Sequence, residues 1–183
     1  MQFATALAYL KQHLTNKNLV SHSMAVAKIM EALAVHLDQN VELWELTGLL
    51  HDIDYDQTAE DPDRHSQVGA DLLEAANYPA ELVYAVRVHN EVHGLPRLTL
   101  LDKALYAADP LSGLIVAGAL IHPSKKLAPL TPEFISKRFV EKAFARGANR
   151  EQILTCSEIG LERDDFIALG LQAMQEHAEL LGL

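Results

Sequence analysis

The chain has 183 residues, 49% of them apolar and 22% charged, which suits one domain with a well-formed core and excludes a disordered or low-complexity chain. Its formal charge of -10 and pI near 5.3 argue against nucleic acid as a partner, because neutralising a phosphate backbone needs a broad lysine and arginine surface. Cys156 is the sole cysteine, so a disulfide within the chain and a thiolate metal site are both excluded.

Apolar residues recur at helical spacing along nearly the whole chain and alternating runs are missing, so the predicted class is all-α. A first helix is expected over Phe3 to His13 and a second over Leu19 to Leu37, with Val20, Met24, Ala27, Met30, Leu33 and Ala34 as its inner stripe. A third runs from Val41 to Ile53, and the acidic run Asp54 to Asp63 reads as a loop. A fourth starts near Arg64 with Asp63 as N-cap and ends near Asn77; a fifth spans Pro79 to His89. Thr99 to Ala108 forms a sixth, open to being joined end to end with another that begins at Pro110. After a proline-containing linker, Thr131-Pro132-Glu133 opens a helix reaching Arg146, and two further helices cover about Arg150 to Ile159 and Asp164 to Leu181. The metal-binding core is expected over about 19–121, with a C-terminal helical extension over about 131–183.

Met1 to Leu10 lacks a basic leader, and no window approaches the roughly 18 apolar residues of a membrane span, so a cytoplasmic location without membrane contact is expected. One local run of bases, Lys125, Lys126, Lys137, Arg138, Lys142, Arg146 and Arg150, reads as a solvated helical face, with a phosphate-receiving rim as the minority reading.

His22, His51, His65, His89 and Asp109 each fall near the end or interruption of a predicted helix, where side chains from separate helices can converge on one centre. Adjacent His51 and Asp52 differ by about 100° around a helix axis, so both reach one ion only where the backbone turns at a helix end. Imidazole and carboxylate suit zinc, iron, manganese or nickel, and two such ions roughly 3.5 to 4 Å apart can clamp a phosphoryl group. A carboxylate can bridge two ions where an imidazole ordinarily cannot, which makes Asp52 the candidate bridge.

The ordered set Ser21-His22-Ser23, Gly48-Leu49-Leu50-His51-Asp52-Ile53-Asp54, His65-Ser66-Gln67-Val68-Gly69-Ala70 and Ala107-Ala108-Asp109 resembles the HD superfamily of metal-dependent phosphohydrolases, in particular its small HDIG-type bacterial members, over about Leu19 to Leu114. That resemblance implies an all-α helical bundle and one divalent ion (Fe, Mn, Zn, Ni or Co) held by His22, His51, Asp52 and Asp109, with His65 and His89 matching the ligands of a second ion. It also implies a nucleotide or related small phosphorylated metabolite as substrate. Asp54 stands where the motif has glycine and Tyr55 where a lysine is often found, which leaves Asp54 or Asp56 as proton-handling candidates beside Asp52. Asn90 replaces the second histidine of the cyclic dinucleotide phosphodiesterases, so His93, with Arg97 and Lys103, is a candidate substrate contact. Asp109 precedes Pro110 and also suits an N-cap, while Asp102 is open to supporting the metal histidines or to capping with Thr99.

The reading that follows is hydrolysis of a phosphate ester or anhydride by an activated water. A metal-binding, ligand-sensing module with little turnover and a di-iron oxygenase are its rivals. A homo-oligomer is left open.

Overall fold

The computed structural model describes residues 2–141 and 143–183, so Met1 and Lys142 of the sequence readings above lie outside the described residues. Among the described residues there are helices and turns and no strand. Helices α1 (Phe3–His13), α2 (Lys17–His36) and α3 (Val41–Leu50) open the chain, followed by the single turn α4 (Tyr55–Thr58) and the pair α5 (Gln67–Ala75) and α6 (Ala80–Val88). A 3-10 turn, Glu91–His93, leads into the long α7 (Leu100–Ile121); then come α8 (Pro132–Phe139), α9 (Arg150–Leu154), a second 3-10 turn Thr155–Ile159, α10 (Arg163–Glu176) and α11 (Ala178–Leu181).

One apolar cluster runs through the fold, from Ala6 and Leu10 of α1 to Phe166, Ile167 and Met174 of α10. The C-terminal extension is therefore not loosely appended: α10 packs on α2, α7 and α8, and α9 packs on α7. Helices α2 and α3 are the most extensively packed pair, and Gly48 lets their backbones approach. A Cβ at Gly48 would lie 2.8 Å from the Ala27 Cα and 2.9 Å from both the Ala27 nitrogen and the Val26 carbonyl carbon, so the two backbones meet where only glycine fits.

Several boundaries differ from the sequence reading, each for a local reason. The third helix stops at Leu50, because the chain turns through 51–54 with Ile53 N–H bonded to Leu50 O and Tyr55 N–H to Asp52 O. Leu49, Leu50 and Ile53 are all fully buried, so the apolar spacing persists past the point where helical bonding ends. The expected N-cap at Asp63 is absent; α5 begins at Gln67, after a turn that carries His65 and ends at Ser66 with φ of 72°. Helix α8 ends at Phe139 and not Arg146, and Arg150 secures the following loop by donating to the carbonyls of Phe139, Phe144, Ala145 and Ala148.

Helix α7 is continuous through Pro110, so Asp109 is no N-cap. The cap is Thr99, whose hydroxyl accepts from Asp102 N–H while the Asp102 carboxylate accepts from Leu98 and Thr99 N–H, which commits Asp102 to capping. With 22 residues and a mean hydropathy of 1.6, α7 is long and apolar enough to cross a membrane, contrary to the expectation that no window approaches such a span. Its apolar side chains face α2, α3, α6, α8, α9 and α10, which makes it the central helix of the core.

Candidate metal centre

Six side chains from five segments meet at one end of the bundle. The structure brings together His22 of α2, His51 and Asp52 of the turn after α3, His65 of the turn before α5, His89 at the end of α6 and Asp109 of α7. His22 Nε2 lies 3.2 Å from His51 Nε2, 3.1 Å from Asp109 Oδ1 and 3.6 Å from Asp52 Oδ2. On the other side of the same carboxylate, Asp52 Oδ1 lies 3.4 Å from His65 Nε2, 3.5 Å from His89 Nε2 and 3.4 Å from His51 Nε2.

These separations can be tested against a bound ion. Nitrogen and oxygen ligands at about 2.0 to 2.2 Å from a tetrahedral or octahedral ion lie about 3 to 3.5 Å from one another. The observed spacings match, and two triads, His22 with His51 and Asp52 and Asp52 with His65 and His89, have their ligand atoms within 4.8 Å of one another.

Ring orientation is set from behind. Each imidazole turns Nε2 to the centre and spends Nδ1 on an acceptor: His51 on Gly48 O at 2.9 Å, His89 on Val86 O at 2.6 Å, His65 on Asp54 Oδ1 at 3.0 Å and His22 on Ser112 Oγ at 3.0 Å. The Ser112 hydroxyl donates to Asp109 O, so its lone pair is left to accept the His22 proton. All four rings can thus carry the proton on Nδ1 and present the Nε2 lone pair inward, the tautomer that a metal ligand requires. Ser112 escaped the sequence reading, and its only signal there is a position one turn beyond Asp109.

Two sequence assignments change with this geometry. Asp54 is fully buried, its Oδ1 on His65 and its Oδ2 accepting from Ser66 and Gly69 N–H, both at 2.9 Å. It orients His65 and is not open to handle a substrate proton; Asp56, the other candidate, is bonded instead to the backbone and hydroxyl of Thr15. His93 donates Nε2 to His65 O at 2.8 Å, and Asn90 Nδ2 donates to Pro62 O and His65 O, so both clamp the turn that carries His65.

The other two proposed substrate contacts also face elsewhere. Arg97 pairs with Glu158 at 3.3 Å and stacks 3.9 Å over the Tyr106 ring. Lys103, six residues before Asp109 on α7, is about 120° around the helix and roughly 9 Å along its axis from it.

The centre opens on one side. His51 is fully buried, whereas the His22 and Asp109 side chains are 24% and 28% exposed and border an open cavity of about 300 Å³ lined also by Pro110, Gly113, Ala117, Ala145, Gly147 and Ala148. A second cavity of about 570 Å³ adjoins it at His22 and Gly113.

Buried acids and imidazoles face one another here. Burial alone would lower the His51 pKa, but Asp52 and Asp109 overcome it and push it up to about 9. Burial would raise the carboxyl groups of Asp52 and Asp109, yet the surrounding histidines hold both below the usual carboxylate range. His51 therefore stabilises the metal-free fold fully below pH 6.5, its ordinary value, and that contribution is lost as pH rises through about 9. A divalent ion competes with the same proton. Metal affinity is expected to rise by at least about tenfold per pH unit over this window, since His51 and also His65, its burial likewise outweighed by Asp54 and Asp52, give up protons to the ion, while the metal-free Tm falls. Calorimetric titration and thermal melts across the window check this, and a pH-independent affinity contradicts it.

The HD domain family matches residues 19–114, just over half of the chain. This chain belongs to the HD family. The resemblance carried by His22, His51-Asp52, His65, His89 and Asp109 is thus a family relationship, and the HD family is one of metal-dependent phosphohydrolases. Similar curated proteins include ribonuclease Y of Desulfotalea psychrophila, 33% identical over 140 residues, which are 74% of this chain and 26% of that protein. Ribonuclease Y of Latilactobacillus sakei is 32% identical over 142 residues, again 74% of this chain and 26% of the relative. Ribonuclease Y of Lactobacillus acidophilus is 28% identical over 155 residues, 82% of this chain and 28% of the relative. The chain with its HD domain spans about a quarter of the length of these relatives. No solved structure matches it.

The name ribonuclease, borne by these relatives, overturns the expectation that nucleic acid is an unlikely partner. Net charge is a sum over the whole surface, and it does not report the charge along the one path a substrate takes.

Proposed function

We propose that this chain is a metal-dependent phosphodiesterase domain that acts on RNA through a centre of two divalent ions. His22, His51, Asp52 and Asp109 would hold the first ion and Asp52, His65 and His89 the second, with manganese, iron, cobalt, nickel or zinc all suited to this nitrogen and oxygen donor set. The observation that carries the reading is the Asp52 carboxylate, with Oδ2 toward His22 and Oδ1 toward His51, His65 and His89, so that one side chain reaches the donors of both triads, as a bridging ligand must. Bound ions would polarise a phosphoryl oxygen and lower the pKa of an attacking water. The chain's own part is to hold six donors without rearrangement, to keep the lone pairs of four imidazoles facing inward, and to admit the phosphate past His22 and Asp109.

RNA is favoured over a mononucleotide by the names of the relatives and by the wall of the smaller cavity. Ala145, Gly147 and Ala148 line that cavity, and Ala148 also borders a hollow of about 410 Å³ that contains Arg146. The loop is braced from within by Arg150, and Arg138 is engaged with Glu141 at 2.6 Å. Arg146 is exposed and has no ion pair among the described residues, which leaves it free to meet a phosphate next to the scissile one.

The test uses metal-loaded protein on a short single-stranded RNA and on a small model phosphodiester. Hydrolysis of the RNA, abolished by chelation, is the expected result. Arg146→Ala is expected to weaken RNA binding several-fold and to reduce the salt slope by about 0.7, the value for one phosphate contact on a single strand. Turnover of mononucleotides alone, with Arg146→Ala neutral, would instead make the substrate a small metabolite. Bound iron with oxygen uptake and no hydrolysis would revive the oxygenase reading.

A further inference from the structure

We infer that Gln152 of α9 is a positioning residue for the metal centre, replacing the helical hydrogen bond that Pro110 removes from α7 beside Asp109. This rests on the reading of the six-residue cluster as a metal site. In an unbroken helix the N–H of residue 110 would close on the carbonyl of Tyr106. Proline has no N–H, so that carbonyl, on a buried residue of the central helix, loses its partner. Gln152 Nε2 donates to it at 2.9 Å.

The placement links three parts of the chain. Asp109 comes directly before the proline, and Ser112, which accepts from His22 and donates to Asp109 O, comes two residues after it. The turn with the missing bond therefore sets the direction of one metal ligand and the support of another. Gln152 itself is fixed at the start of α9, where the Asn149 side chain accepts from the N–H groups of Glu151 and Gln152. Helix α9 follows the loop that Arg150 braces, so the segment after the HD match supplies a part that the match itself lacks.

A double-mutant cycle on the full chain tests the substitution of one bond for the other. In Gln152→Leu the Tyr106 carbonyl is orphaned, and Mn²⁺ affinity, measured by calorimetry on metal-free protein, is expected to fall about tenfold, as for other groups that orient metal ligands. In Pro110→Ala the helix regains its own N–H donor and Gln152 becomes redundant. Adding Gln152→Leu to Pro110→Ala is then expected to cost less than about twofold, a coupling that a merely structural role would not produce. Gln152→Met serves the same cycle if the leucine variant does not fold. Equal losses in both backgrounds, or a lowered Tm with unchanged Mn²⁺ affinity, overturn the inference. Wild-type protein that binds no Mn²⁺, Co²⁺ or Zn²⁺ would remove the metal reading beneath it, a separate and recognisable failure.

Discussion

Asp52→Asn is expected to lower phosphodiester hydrolysis by at least about 10³-fold, which corresponds to roughly 4 kcal/mol of lost transition-state stabilisation. The substitution keeps the shape of the side chain and removes what the site uses. Asp52 sends Oδ2 to His22 at 3.6 Å and Oδ1 to His65, His89 and His51 at 3.4 to 3.5 Å, and an amide offers one oxygen where the carboxylate offers two. Bound metal, counted by elemental analysis after gel filtration, should fall with activity, because both triads pass through this residue. The fold should persist with a lowered metal-free Tm, since Asp52 adds nothing to the apolar core but is one of the two carboxylates that stabilise protonated His51. A variant that keeps activity within tenfold of wild type, or that loses activity with its full metal content, would contradict the bridging role.

Gly48→Ala is expected to lower stability by about 3 kcal/mol or more, the upper range for overpacking a close interface, and Tm by roughly 6 to 12 °C. The added methyl meets main-chain atoms of Val26 and Ala27 at 2.8 to 2.9 Å, and no rotamer change can relieve that. Ala27→Gly should therefore fail to rescue it, which distinguishes a backbone collision from ordinary side-chain crowding. The damage should also reach the metal centre. Helices α2 and α3 carry His22 and lead into His51, whose Nε2 atoms are 3.2 Å apart, and Gly48 O accepts from His51 Nδ1. Thermal melts and a metal titration on the same sample check both effects; a Tm within about 2 °C of wild type would show that the helices separate without cost.

Much of this molecule is written in residue type and spacing. The 3.6-residue apolar period specifies an all-α chain, because burial of one face is a local property of each helix. The ordered donors His22, His51-Asp52, His65, His89 and Asp109 and the absence of a second cysteine define the kind of ion the chain can hold, because coordination chemistry depends on donor atoms that sequence names directly. Thr99 with Asp102 and Thr131 with Pro132 mark helix starts for the same reason, as caps act within one turn.

What needed the tertiary structure is everything that depends on a partner distant along the chain. Asp54 and His93 resemble catalytic and binding groups until one is seen bonded to His65 Nδ1, Ser66 and Gly69 and the other to His65 O. Arg97 and Lys103 stand near Asp109 in number, but Arg97 precedes α7 and is engaged with Glu158 and the Tyr106 ring, and Lys103 lies about 120° from Asp109 around that helix. Ser112 and Gln152 carry no motif, since a hydroxyl or an amide becomes a support only through the group it faces, His22 some 90 residues away for the one and Tyr106 O, 46 residues away, for the other. Net charge could not decide about nucleic acid because it sums the surface, whereas a substrate meets only the few side chains that the fold sets along its path.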